Sequence, residues 1–201
     1  MRPDDDSDGP PIHGHTGLEI AWTAVPAVLV TAIAVVSAVA LAENGRLKSD
    51  RLVVEVTARQ FAWIFAYPPD AKARAASKNE RLCNIPPAQP NCPVSYTLRL
   101  PEGRQVELRL TALDVIHSFW VPEFRQKQDA LPGSRPETRA GTKLKVGQVT
   151  QLPITPTRIG KYTVICTELC GLGHALMRAP ARVMPEKEFD DWLAKGPGLR
   201  S

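Results

Sequence analysis

Histidine and cysteine are scarce in this 201-residue chain, at four each, and aromatic side chains make up only 6%. Strong hydrophobicity is confined to one run. So few aromatics, beside 19 prolines, argue against a long helical bundle, because proline breaks helix interiors. Four cysteines are too few for a disulfide-stapled scaffold. A chain that is 43% apolar and 23% charged is not a disordered tail. No internal repeat is visible.

The apolar run extends from Ile20 to Ala42, bounded by Glu19 and Glu43, with no charged residue inside it. As a helix it would span roughly 35 Å, enough to cross a bilayer with some tilt. It is too long for the apolar core of a signal peptide, and Pro26 inside it is tolerated in membranes. The chain therefore divides into an N-terminal segment (1–19), a transmembrane helix (20–42) and a larger domain (43–201). Charge alone favours a cytoplasmic position for the larger domain. Residues 1–19 carry one arginine and five acids, whereas Arg46, Lys48 and Arg51 follow the helix, which is the bias the positive-inside rule associates with the cytoplasmic side.

Beyond a polar linker at 43–50 the pattern is that of strands. Glu55, Thr57, Arg59, Phe61, Trp63, Phe65 and Tyr67 recur at period two and are expected on one face of one strand. Residues 71–93, rich in Lys, Ala, Asn and Pro, read as a surface excursion carrying Cys83 and Cys92. Ser95–Leu100 and Gln105–Thr111, flanking Pro101-Glu102-Gly103, read as a hairpin. Further strands are expected at Lys143–Val146, Val149–Ile154, Lys161–Ile165 and Ala179–Met184, with a short closing helix at Glu186–Ala194. Many short strands separated by turns indicate a β-sandwich or barrel.

The chemistry is concentrated in Cys166-x-Glu168-x-Cys170-Gly171-x-Gly173-His174-x-x-Met177. Two thiols, an imidazole and a thioether in so short a stretch favour a soft metal, and the thioether favours copper over zinc or an iron–sulfur cluster. A mononuclear blue-copper site needs one cysteine, two histidines and a weak methionine. Here there is one cysteine more, which suits two copper ions bridged by two thiolates. A second imidazole is then needed. His13 and His15 precede the apolar run, leaving His117, in Asp114-x-x-His117-Ser118, on the same side as the loop. Taken singly, Cys166 and Cys170 could instead form a redox dithiol or disulfide, Met177 could be a core residue and His174 a surface one.

His117 followed by this loop resembles the binuclear copper A domain of cytochrome c oxidase subunit II. The likeness extends to Leu18–Ala27, similar to the start of that family's second transmembrane helix, to Gln60–Tyr67, similar to its aromatic segment, and to Lys127–Gly133. The resemblance implies an all-β fold, a cupredoxin-like Greek-key β-barrel preceded by one transmembrane α-helix. It implies that His117 and His174 each cap one copper, that Cys166 and Cys170 bridge both, and that Met177 and the backbone carbonyl of Glu168 are weak ligands. The Glu168 carboxylate would bind a Mg²⁺ or Mn²⁺ shared with subunit I. No reaction would occur in this chain itself. Electrons would arrive from a cytochrome c donor, one held at the membrane included, and pass to haem in subunit I of a terminal respiratory oxidase, where oxygen is reduced. Phe61, Trp63 and Asp114 are the residues implied for electron arrival and docking. The other oxidase subunits and the membrane are the remaining partners, and no nucleic acid is expected.

The same resemblance places residues 43–201 on the extracytoplasmic side of the cell membrane and outweighs the charge bias. A disulfide between Cys83 and Cys92 is chemically permitted there, since neither matches a copper ligand. Family members usually carry two N-terminal helices; here Met1–Thr16 resembles the loop between them. Phe61 stands where the family usually has tryptophan, and Ala66 where a docking glutamate is common, while Asp114 matches a docking acid. The alternatives are a copper A subunit of a nitric-oxide-reductase-type complex and, more remotely, a copper assembly protein.

Overall fold

The computed structural model describes residues 13–68, 92–132, 135–139, 142–146 and 149–195. The chain separates into two units, 1–46 and 47–201. In the first, α1 runs over Thr16–Asn44, longer than the apolar run at both ends. The His15 ring accepts the Leu18 N–H at 3.1 Å and so caps the first turn. Gly45 ends the helix by donating its N–H to Leu41. No residue of α1 is buried.

Among its described residues the second unit has twelve strands, one α-helix and two single-turn 3-10 helices, Pro122–Phe124 and His174–Leu176. The strands are β1 (Leu52–Arg59), β2 (Ala62–Ala66), β3 (Val94–Ser95), β4 (Leu98–Pro101), β5 (Val106–Ala112) and β6 (His117–Val121). They continue as β7 (Gln126–Ala130), β8 (Arg135–Arg139), β9 (Thr142–Val146), β10 (Thr150–Ile154), β11 (Gly160–Cys166) and β12 (Arg178–Met184), followed by α2 (Glu186–Ala194). One sheet has the order β10-β5-β1-β2-β3 and a second the order β4-β12-β11-β6-β7, with β8 and β9 forming a separate pair. Neighbours are antiparallel except β1 with β5 and β12 with β4. The core contains Val54, Val56, Trp63, Phe65, Leu108 and Leu110 from the first sheet and Leu98, Phe119, Val164 and Val183 from the second.

Two expectations need correction. The run 51–67 is not one strand with seven residues on one face. It is a hairpin, with Val56 opposite Phe65 and Ala58 opposite Trp63. The turn at 60–61 reverses the chain and exchanges the faces. Trp63, Phe65 and Tyr67 therefore join Val54 and Val56 in the core, while Glu55 and Thr57 take the other face. Period-two alternation cannot reveal such a reversal, because a turn of this length leaves the count intact while changing which face is inward. Second, β4 and β5 do not pair as a hairpin. β4 lies beside β12, and β5 between β1 and β10. The connection crosses from one sheet to the other: Glu102 donates its N–H to Met184, and Gly103, at φ +75°, donates its N–H to Pro156. Residues 69–91, including Cys83 and most of the expected excursion, lie outside the described residues.

The outer face of the first sheet is buried too, although it is polar. Glu107 there holds Arg51 at 2.5 Å and Arg109 at 2.9 Å, the pairing that buried charges require.

α2 closes one edge. Glu186 and Glu188 sit in its first turn, where the helix dipole favours negative charge. Phe189 and Leu193 are buried, and Trp192 packs edge-on to Tyr67 at 4.9 Å under the Arg99 guanidinium. The Tyr67 hydroxyl accepts the Arg99 N–H at 2.7 Å. Burial raises the Tyr67 phenol far above its ordinary value of 10.0, outweighing the Arg99 backbone hydrogen bond, which lowers it. The folded chain thus keeps a proton that the unfolded chain begins to release near that value. Stability is fully present below about pH 10 and falls as pH rises further. Tyr67→Phe should flatten that alkaline decline while costing about 1–3 kcal/mol at neutral pH, because the Arg99 N–H loses its acceptor. Urea midpoints measured at neutral and strongly alkaline pH test this; parallel declines in variant and parent would refute it.

Candidate metal centre

β6 and β11 bring the two halves of the motif together. They pair antiparallel, with Cys166 opposite Phe119. The Thr167 N–H donates to Ser118 at 2.9 Å, fixing the start of the loop beside His117. The loop then makes tight turns: the His174 N–H donates to Gly171, Leu176 to Gly173 and Met177 to His174. It closes on itself where the Cys166 N–H donates to Met177 at 3.1 Å.

The side chains converge as a chain of soft donors. Cys166 Sγ lies 3.8 Å from both His117 Nδ1 and Cys170 Sγ. His174 Nδ1 is 3.6 Å from Cys170 Sγ, which is 3.7 Å from Met177 Sδ. Met177 Sδ is 3.1 Å from His117 Nδ1, and the Glu168 carbonyl is 3.3 Å from Cys166 Sγ. His117, Cys166, Cys170 and Met177 are buried, whereas His174 is half-buried and the Glu168 side chain exposed. Both loop cysteines are free thiols. Their sulfurs are too far apart for a disulfide, and close enough for one ion to touch both at about 2.3 Å. Burial pushes the Cys170 thiol up to about 11, with the hydrogen bond and charge of Cys166 adding to the rise. Metal uptake must therefore displace protons.

Asp114 orients His117. Its Oδ1 accepts from His117 Nε2 at 2.8 Å, which leaves Nδ1 facing the sulfurs. The same carboxylate accepts the N–H groups of Gln60 at 2.6 Å and Val115 at 2.7 Å. Burial alone would raise its pKa; the hydrogen bonds from Gln60, His117 and Val115, with the charge of His117, outweigh that and hold it below the ordinary carboxylate value. A carboxylate on the remote nitrogen is the usual outer support of a metal-binding imidazole.

This donor set fits a copper centre better than a core. A family model for the periplasmic domain of cytochrome c oxidase subunit II matches residues 52–183. The chain belongs to the cytochrome c oxidase subunit II family. It is 32% identical to subunit 2 of Synechocystis sp., with 96% of this chain and 62% of that protein covered. It is 30% identical to subunit 2 of Thermostichus vulcanus, with coverages of 95% and 64%. The chain thus spans less than two thirds of the length of these curated relatives. The crystal structure of the periplasmic domain of subunit II from Bradyrhizobium japonicum superposes with a TM-score of 0.53 at 27% identity, covering 75% of this chain and 96% of that one. The two-sheet domain is thereby the cupredoxin-like fold expected of subunit II.

The aromatic segment 60–67 divides sharply by position. Phe61 is 41% exposed at the turn, whereas Trp63 is 1% exposed. Trp63 instead packs edge-on to His117, centroids 6.1 Å apart, and to Phe119 at 5.6 Å. Phe61 thus lies at the surface of the turn, with Trp63 in the core behind it. Ala66 is buried beside Ile64, Cys92 and Val94, so position 66 offers no surface here. Cys92 is disulfide-bonded; Cys83, its expected partner, lies outside the described residues.

Gln60, Gly171 and Gly173 lie within the recognised segments, but their spacing alone assigns them no role. Gln60 Nε2 donates to the Cys170 carbonyl at 2.5 Å. Gly171 adopts φ +125°, and a Cβ on Gly173 would lie within 2.8 Å of three atoms of the Phe61 ring. The two glycines inside the motif were the available signal: a glycine in a ligand loop marks close backbone approach.

Proposed function

We propose that this chain is the electron-accepting subunit of a haem–copper terminal oxidase, carrying a binuclear copper A centre. The single observation that carries the reading is the convergence of two thiols, two imidazoles and a thioether, with neighbouring donors 3.1–3.8 Å apart. His117, His174, Cys166 and Cys170 would hold the two coppers, with Met177 and the Glu168 carbonyl as weaker donors. When bound, the pair supplies one-electron transfer with its charge shared over two metals. The chain's own task is to keep the ligands still between oxidation states. The paired strands β6 and β11 fix His117 and Cys166, and Asp114 fixes the tautomer of His117. The exposed Glu168 carboxylate is free to join a Mg²⁺ or Mn²⁺ site with subunit I, a hard donor for a hard ion.

α1 is long and apolar enough to cross a membrane, and the matched family is a periplasmic domain. We read the chain as membrane-anchored with residues 43–201 outside, where a cytochrome c donor delivers electrons.

Loading the full chain in detergent with copper should give about two ions per chain. Its electron paramagnetic resonance should show one unpaired electron shared by two nuclei. A four-line spectrum from a single copper would sink the binuclear assignment.

The donor face supports a further expectation. Residues 1–42 hold one basic and five acidic side chains, so the rest of the chain holds 24 basic and 16 acidic ones. Around the ligand loop the exposed side chains include Phe61, Val115, Ile116, Leu169, Leu172 and Leu176, with Asp114 and Glu168 as the exposed acids among them. A basic soluble cytochrome c therefore gains little steering, and docking relies on apolar contact. Its rate of reducing the loaded chain should change by less than about threefold between low and physiological salt. A fast rate that falls steeply with salt would refute this.

A further inference from the structure

We propose that Gln60 is a positioning residue for the metal centre, and that the Gln60–Phe61 turn is a clasp holding the Cys170–Met177 loop against the strand that carries His117. The inference rests on reading that loop as the metal site and adds a part to it.

The two halves of the ligand set are secured very differently. His117 and Cys166 sit on paired strands. The stretch 168–176 has no strand partner, and its leucines, Leu169, Leu172 and Leu176, project into solvent rather than anchoring it. Its backbone bonds are local ones within the loop. Among the described residues, one polar contact reaches 168–176 from outside the 166–177 segment: Gln60 Nε2 to the Cys170 carbonyl, at 2.5 Å. The same residue turns its backbone N–H to Asp114 Oδ2 at 2.6 Å, and Asp114 Oδ1 holds His117 Nε2 at 2.8 Å. Gln60 thus joins the loop-borne thiol to the strand-borne imidazole through two hydrogen bonds of its own and one of Asp114.

Phe61 completes the clasp by lying against the loop backbone. A Cβ on Gly173 would meet Phe61 Cδ2, Cγ and Cε2 at 2.5–2.8 Å, and one on Gly171 would meet Gln60 Nε2 at 2.7 Å. No side chain larger than hydrogen fits at either position while the turn is seated. The glycines exist for that contact as well as for the loop's own turns. Such a support matters for electron transfer, because a ligand loop left loose lets the metal geometry relax between oxidation states.

The clasp can be tested on the full chain in detergent without metal. Gln60→Ala removes the side-chain bond and keeps the backbone one. Gln60→Glu keeps the size but presents a carboxylate where a donor is needed. In both, amide hydrogen exchange at His174, Leu176 and Met177 should accelerate about fivefold to tenfold, the factor expected for one lost hydrogen bond. Alkylation of Cys170 should accelerate similarly, while Cys166 and the amides of β5 keep the parent's rates. After copper loading, the resonance spectrum of either variant should broaden into more than one population. Loop exchange and Cys170 reactivity within twofold of the parent in both variants would overturn the clasp. If Gln60→Ala unfolds, Gln60→Glu decides alone. Failure of the metal reading is separate: the parent would then bind no copper while the metal-free exchange result still stood.

Discussion

Serine in place of Cys166 should abolish the proposed binuclear centre, taking copper from the expected two or so ions per chain to one or none and erasing the shared-electron signal. The thiol is central by distance: it lies 3.8 Å from His117 Nδ1 and from Cys170 Sγ, and 3.3 Å from the Glu168 carbonyl. A hydroxyl there is a hard, weakly acidic donor and a poor bridge for copper. Because Cys166 ends β11 and is buried, the smaller oxygen also leaves a gap in the site. The fold should survive, since serine is close in size and β11 keeps its pairing with β6 and β12. Met177→Leu is the contrast. It removes the proposed weak thioether donor and keeps the apolar volume, so the variant should retain both ions with a changed reduction potential. Copper analysis and resonance spectra of the two variants decide the matter. Two coppers and an unchanged spectrum in Cys166→Ser would show that the thiol bridges nothing.

Trp63→Ala should cost the folded chain about 3–5 kcal/mol, a large share of a domain's usual stability. The indole is 1% exposed and wedged edge-on between His117 and Phe119. Removing it opens a cavity in the core directly behind His117. Trp63→Phe should cost much less, under about 1.5 kcal/mol, because most of the ring volume stays. It also removes a buried indole N–H that has no hydrogen-bond partner among the described residues. Denaturant midpoints on metal-free protein measure both, since bound metal would add its own stabilisation. A loss below about 1 kcal/mol for Trp63→Ala would mean that the ring supports nothing. Phe61→Ala gives the comparison on the surface side of the turn: little stability should change, because that ring is already partly in solvent.

One aromatic segment thus holds a surface residue and a core residue, and the sequence does not make that division. Phe61 and Trp63 are two residues apart and would share a face on an uninterrupted strand. The turn at 60–61 breaks the strand, and only β2, pairing back on β1, sends Trp63 inward. The apparent hairpin around Pro101–Gly103 failed for a related reason. Local spacing is the same whether two strands pair or part, and the choice was made by β12 and β1, distant in sequence, offering better partners.

What the sequence determined by itself was chemical and local. The candidate donors were legible because Cys166, Cys170, His174 and Met177 crowd into a short stretch, a spacing that has few other uses, and the fold brings them together with His117. The long apolar helix was legible because hydrophobic length is additive along the chain. The closing helix at Glu186–Ala194 was legible because its start and stop signals are local. What only the tertiary structure decided was everything that depends on approach between distant segments: Asp114 shared between His117 and the Gln60 N–H, Gln60 bonded to the Cys170 carbonyl, and Gly173 kept bare beneath the Phe61 ring. Gln60 stands 54 positions from Asp114 and 110 from Cys170, and nothing in the local pattern around any one of them records the others. The contacts exist because β1, β2, β6 and β11 bring their ends together at one end of the two-sheet domain, where backbone groups left unpaired by the strands find partners in the side chains of Asp114 and Gln60.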